Sequence, residues 1–211
     1  MCHVLRVRPD QTFELSDGKR VYLGRVASAQ ASEVAFELRE ELPAGPPLPE
    51  VSLLAAIFKF DRFEWMLEKV TELGATRVVP VVAERTSPAL ARAAATRVER
   101  WRRIGWEAAQ QSRRLAPLEV SDPRPLERAA VDLEAGSRWI LDESLAGSPS
   151  SPLEAGSGHR VLLLGPEGGF TEAERKWAAG AGFLPIGLGP LILRAETAAI
   201  AALAVLMCRR Q

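Results

Sequence analysis

The sequence predicts an α/β protein: a parallel sheet with helices on both faces, preceded by a small β unit. Three observations carry this reading. The opening segment alternates short β-rich runs with turn signals, "LPAGPPLPE" at 42–50 interrupts the chain with four prolines in nine residues, and beyond it apolar strands alternate with amphipathic helices. Proline lacks the N–H that a ladder or a helix interior needs. A domain boundary is therefore expected there, between a β domain over 1–45 and an α/β domain over 50–211. Strand–helix alternation implies parallel strands, because a crossover must carry the chain back before the next strand can pair.

Taken in order, "QTFELSDGKRVYLGRV" reads as a hairpin around Asp17-Gly18, and "EVAFELRE" as a third strand. After the prolines, "VSLLAAIF" (51–58) is a buried strand. "DRFEWMLEKVTELG" is a helix with Asp61 at its N-cap, Glu64 three residues on and Gly74 as its stop; Phe63, Leu67 and Val70 share one face, widened by Met66 and Leu73. "TRVVPVV" is the next strand. "AATRVERWRRIGWEAAQQSRR" is a helix whose tryptophans are expected in the core and whose arginines are exposed. "RWILDE" and "HRVLLLG" follow as strands, separated by a serine-, glycine- and proline-rich surface loop over 143–158. A Thr171/Glu174 capping box opens the next helix, "FLPIGLG" is the last strand, and "RAETAAIAALAVLMCRR" the last helix. That helix is apolar nearly all round, so burial on several sides is expected.

Composition excludes several classes. Lysine plus arginine equal aspartate plus glutamate at 27 each, so no global field draws the molecule to nucleic acid, and any such binding must be local. Two cysteines near opposite ends argue against a disulfide framework or zinc site and for a reducing compartment. His3 and His159 are too few for a histidine-based metal centre or a Ser-His-Asp triad. The opening residues lack a basic-then-apolar leader, and the apolar run from Ala198 to Cys208 is too short to cross a bilayer. A cytoplasmic protein with no membrane or metal partner is the expectation.

Ligands of open α/β sheets gather at the carboxyl ends of strands. Two such ends stand out: Gly165-Pro166-Glu167-Gly168-Gly169-Phe170 and Leu188-Gly189-Pro190-Leu191-Ile192-Leu193-Arg194. The first lacks the lysine and hydroxyl of a phosphate-binding P-loop, and it does not fit G-x-G-x-x-G. Glu167 would repel a pyrophosphate. A ligand with little negative charge, or a cationic one, suits the loop better, and S-adenosylmethionine with its positive sulfonium is such a ligand.

"LLLGPEGGFTEAE" followed by "LGPLILRAETAAIAAL" resembles the SPOUT-class RNA methyltransferases, and among them the ribosomal RNA small-subunit methyltransferase E family, which methylates N3 of a uridine in 16S ribosomal RNA. The resemblance extends through "KFDRFEWMLEKVTELGATRVVPVVAERT", "RWRRIGWEAAQQSRR" and "HVLRVRPDQTFELSDG", the last matching a small PUA-like domain. It implies a C-terminal trefoil knot, a homodimer, bound S-adenosyl-L-methionine, and small-subunit ribosomal RNA or the assembled 30S subunit as partner. It further implies that Leu164, Gly165, Glu167, Gly168, Gly169, Leu188, Gly189, Leu193, Thr197 and Ala198 bind the cofactor, with Arg194 and Glu196 catalytic. Arg6, Arg8, Lys59, Arg62, Arg85, Arg113 and Arg114 are the candidate RNA contacts.

The chain departs from the family pattern in four ways. Its β domain is expected to have its first strand missing or replaced at the N-terminus, Phe60 replaces a small residue, Arg113 a glycine and Leu191 a basic residue. Rival readings are a SPOUT enzyme acting on transfer RNA or a ribose hydroxyl, and an RNA-binding relative without catalysis.

Overall fold

The computed structural model describes residues 7–30, 32–43, 48–131, 133, 136–147 and 158–208. The chain divides into two compact units, Met1–Pro47 and Leu48–Gln211. In the first, β1 (Thr12–Ser16), β2 (Val21–Ala29) and β3 (Val34–Leu42) form an antiparallel sheet in that order. The Asp17 carboxylate accepts the N–H groups of Lys19 and Arg20 at 2.8 and 2.7 Å, which closes the β1–β2 turn. Phe13 meets Phe36 edge to face beside the buried Val26.

The second unit holds seven strands. They are β4 (Val51–Ala56), β5 (Arg77–Val82), β6 (Glu119–Val120), β7 (Arg124–Pro125), β8 (Gly136–Leu141), β9 (His159–Leu164) and β10 (Leu184–Ile186). The order is β10-β8-β9-β4-β5-β6, with β7 also on β5, and every pair is parallel. On one face, Leu53, Val78, Trp139 and Leu162 pack beneath α1 (Phe60–Glu72), α3 (Val98–Gln111) and α6 (Ala195–Cys208). On the other, Leu54, Val79, Ile140 and Leu163 meet α4 (Leu126–Ala129) and α5 (Glu172–Gly180). Strand side chains alternate between faces, and both faces are covered. That is why β4 is apolar almost throughout and buried at every position.

The expected elements are present, with corrections. α1 begins at Phe60 behind an extended Lys59, whose carbonyl accepts the N–H of Phe63; no side chain caps it. Asp61 therefore sits in the first turn, not at the N-cap. Glu64 is held by Arg100 at 2.8 Å rather than turned back to a cap. The helix expected over 94–114 is preceded by α2 (Pro88–Ala94) and a 3-10 turn at Ala95–Arg97. Of its tryptophans only Trp101 is in the core; Trp106 is exposed. α4 and the two-residue strands β6 and β7 are too short for any periodicity to announce. α6 buries Ala199, Ala202, Leu203 and Leu206, while Val205 is exposed, so one face and not the whole surface is covered within the chain.

Connectivity positions the site. The chain leaves β9, passes through α5 to β10 outside β8, and returns to α6, which packs on α1 and β9. Along this return, the Asp142 N–H donates to the Ile186 carbonyl and the Gly147 N–H to the Gly189 carbonyl, each at 3.0 Å. The carboxyl ends of β8, β9 and β10 thereby converge.

Candidate active site

The loop after β9 is built as a rigid turn. The Gly169 N–H closes it on the Pro166 carbonyl at 2.9 Å. Gly169 has φ +68°, and a Cβ there would run into the Glu143 carboxylate, so backbone shape and space both demand glycine. Beyond it the expected capping box is present: Thr171 Oγ1 accepts the Glu174 N–H, and the Glu174 carboxylate accepts the Thr171 N–H. Glu174 also accepts the Glu84 N–H at 2.8 Å, and Arg85 donates to the Gly168 carbonyl at 2.6 Å. The segment after β5 thus clamps the glycine turn.

A second wall comes from the carboxyl end of β8. Asp142 accepts the Ser144 N–H at 3.0 Å and is gripped by Arg175 of α5 at 2.8 and 3.3 Å. Burial works against the Asp142 charge. The hydrogen bonds from Arg175 and Ser144 outweigh it and hold the carboxyl below the usual range. Residues 143–145, expected in a mobile loop, form a 3-10 turn, and the 148–157 part of that expectation lies outside the described residues.

The third wall is the start of α6. The Arg194 carbonyl accepts the Ala198 N–H at 2.8 Å and opens the helix. Glu196, in the first turn, is only 6% exposed. Arg62 of α1 reaches in and touches two carboxylates, Glu167 at 3.3 Å and Glu196 at 3.9 Å. Arg194 makes no ion pair among the described residues.

These walls enclose a cavity of about 450 Å³. Of the residues expected to hold a ligand, Leu164, Gly165, Glu167, Gly168, Gly169, Leu188, Leu193, Arg194, Glu196 and Ala198 line it. Gly189 and Thr197 do not. The Gly189 carbonyl is taken by Gly147, and Thr197 lies on the exposed side of α6. Leu141, Asp142, Glu143 and Ile186 line the cavity without having been expected. The rule that placed two loops at strand ends applied equally to "RWILDE", which ends in Leu141, Asp142 and Glu143, while Ile186 belongs to "FLPIGLG". Leu191 and Ile192, about three-quarters exposed, form the apolar lip.

The candidate RNA cations divide. Arg6 lies outside the described residues. Arg8, Lys59 and Arg113 are exposed and form no ion pair among the described residues. Arg85 is exposed but tied to Gly168, and Arg62 belongs to the cavity. Arg114 is a correction. Its guanidinium donates to the Thr71 and Ala75 carbonyls at 2.8 and 2.7 Å, and burial pulls its pKa down, so it fastens the end of α1 instead of facing a phosphate.

His159 Nε2 lies 2.8 Å from Ser52 Oγ at the opposite, amino end of the strands. Among the described residues no cluster of three metal-binding side chains occurs, and no helix is long and apolar enough to cross a membrane.

The model of the RNA methyltransferase domain family matches residues 46–207. Ribosomal RNA small subunit methyltransferase E of Aquifex aeolicus is 28% identical over 205 residues, spanning 97% of this chain and 88% of that one. The protein of the same name from Synechocystis sp. is 36% identical over 214 residues, spanning 95% and 67%. Among solved structures, ribosomal RNA small subunit methyltransferase E from Neisseria gonorrhoeae bound to S-adenosyl methionine superposes with a TM-score of 0.88. It shares 33% identity and covers 98% of this chain and 86% of its own.

Proposed function

The chain belongs to the RNA methyltransferase domain family, and from that premise we propose that it methylates N3 of a uridine in 16S ribosomal RNA, using S-adenosyl-L-methionine. One observation carries the reading: the cavity at the ends of β8, β9 and β10 pairs glycine-shaped backbone with Asp142, Glu143, Glu167 and Glu196 against Arg62 and Arg194 in its lining and Arg175 behind Asp142 and Glu143, which leaves carboxylates in excess. Such a site disfavours a triphosphate and accommodates a ligand of net positive charge. Its volume falls in the ordinary range of small-molecule sites. The turns at 165–169 and 187–189 would hold the nucleoside part through main-chain groups and Leu164, Leu188 and Leu193.

S-adenosylmethionine supplies, when bound, an electrophilic methyl group on a positive sulfur. The chain's own residues handle the acceptor. The N3–H of uridine is a weakly acidic imide, and negative charge grows on the base as its proton leaves. Arg194, at the cavity and without an ion pair among the described residues, stabilises that charge but cannot take the proton, because a guanidinium stays protonated. Glu196 is the base in this reading, directly or through a water it holds. Alignment of the two reactants would contribute a further ~7–11 kcal/mol toward the barrier.

Arg8, Lys59 and Arg113 are retained as RNA contacts, with Arg85 in support. The partly uncovered face of α6 around Val205 suits the homodimer. The contacts of 186–189 with 142–147 suit a C-terminal trefoil knot. A cytoplasmic setting and the division into 1–45 and 50–211 domains belong to the same reading.

The test is calorimetry with S-adenosylmethionine and with ATP, followed by mass spectrometry of undermethylated small-subunit RNA after treatment. Binding of the first ligand alone and a gain of one methyl on a uridine base are expected. Binding of ATP, or methylation of a ribose or of transfer RNA, would replace the reading. Arg194→Ala is expected to keep cofactor affinity within a few-fold while turnover collapses.

A further inference from the structure

Resting on that reading, we propose that Arg62 is a built-in counter-ion that sets how strongly the cavity prefers a cationic ligand over a neutral one. The sequence suggests nothing of this: Arg62 lies far from both glycine-containing loops and reads as one more surface cation. The fold brings it between them. Its Nη1 is 3.3 Å from Glu167 on the β9 loop, and its Nε is 3.9 Å from Glu196 on α6. Glu196 is almost fully buried, and Arg62 is its one ion-pair partner among the described residues. Arg194, the other cation of the cavity, is engaged with neither carboxylate.

The consequence is electrostatic. Two carboxylates around one guanidinium leave a modest excess of negative charge in a partly water-excluded space. A ligand bearing a sulfonium gains from Glu167 and Glu196 but is repelled by Arg62, whereas the same ligand after losing its methyl is neutral at sulfur and indifferent to all three. Arg62 therefore trims the advantage of the donor over the spent product. Without it the cavity would hold two unpaired carboxylates and grip the cation harder.

The experiment is calorimetric titration of the full chain with S-adenosylmethionine, S-adenosylhomocysteine and sinefungin, which carries an amine in place of the sulfonium methyl. Arg62→Met is expected to shift the affinity ratio toward the two cationic ligands by about tenfold. Arg62→Lys keeps the charge and should leave the ratio near wild type. Glu167→Gln, which removes a carboxylate and keeps Arg62, should shift the ratio toward the neutral ligand. An unchanged ratio in Arg62→Met, including equal weakening of all three ligands as a purely structural residue would give, overturns the proposal. So does a shift toward the neutral ligand, or no shift in Glu167→Gln. If the wild-type chain binds none of the three, the methyl-donor reading itself falls. If it binds them but the ratio does not move, only the role of Arg62 falls.

Discussion

Arg113 and Arg114 are adjacent and identical in type, yet Arg113 is exposed and Arg114 is tied to the end of α1. α3 ends in a paired turn, with the Arg113 N–H on the Gln110 carbonyl and the Arg114 N–H on the Ala109 carbonyl. α1 ends the same way at Gly74 and Ala75. At the shared position Gly74 has φ +102° and Arg113 has φ +55°, a conformation an arginine adopts only at a cost. Arg113→Gly is expected to be neutral or to stabilise by up to about 1 kcal/mol, since relief of strain exceeds the extra freedom of the unfolded chain. Arg114→Met should lose about 1–3 kcal/mol, leaving the Thr71 and Ala75 carbonyls short of a donor. Denaturant titration checks both, and only Arg113→Gly should also weaken RNA binding. Asp142 yields a pH prediction. Its folded pKa is depressed, so its contribution is fully present above the unfolded value near about 4 and is lost as pH falls through the lower folded value. Asp142→Asn should be less stable than wild type at pH 7, with the gap closing on acidification below about 4. A gap independent of pH would sever the link to Arg175.

Helix ends and strand ends, more than their middles, decide what this molecule can do. The capping box of α5 was legible because both partners lie within one turn, Thr171 and Glu174. What the pattern could not show is that Glu174 also holds the Glu84 N–H and Thr171 the Glu84 carboxylate, so one cap ties the glycine turn of the cavity to the loop after β5. Thr171→Ala is therefore expected to cost about 1 kcal/mol as a lost cap. It should also loosen residues 83–86, which hydrogen exchange would detect as faster amides in both segments. The start of α1 shows the reverse case. Asp61 and Glu64 have the spacing of a cap, but the Lys59 carbonyl begins the helix two residues earlier and Glu64 is drawn to Arg100.

Over the molecule as a whole, charge is balanced, so any hold on RNA comes from single exposed cations. Of the candidate RNA contacts, Arg8, Lys59 and Arg113 are the exposed ones that form neither an ion pair nor a side-chain hydrogen bond among the described residues. At about 0.7 counterions released per contact with single-stranded RNA, they predict a log–log salt slope of about −2. Filter binding across a salt series reads it directly. A slope near zero, or one unmoved when all three are replaced by Gln, would remove them from the interface.

Family resemblance singled out Arg194 and Glu196, while the α/β class, the break after the β unit and the glycine turns were determined by the sequence itself. Each rests on near neighbours: alternation, prolines, caps and loops that follow strands. Tertiary structure alone decided that β10 lies beyond β8, that Asp142 and Glu143 form a wall, that Arg114 clasps helix ends and that Arg62 sits between two carboxylates. Those facts join residues 26 or more positions apart, and no local period records which distant loops a parallel sheet will bring to the same end.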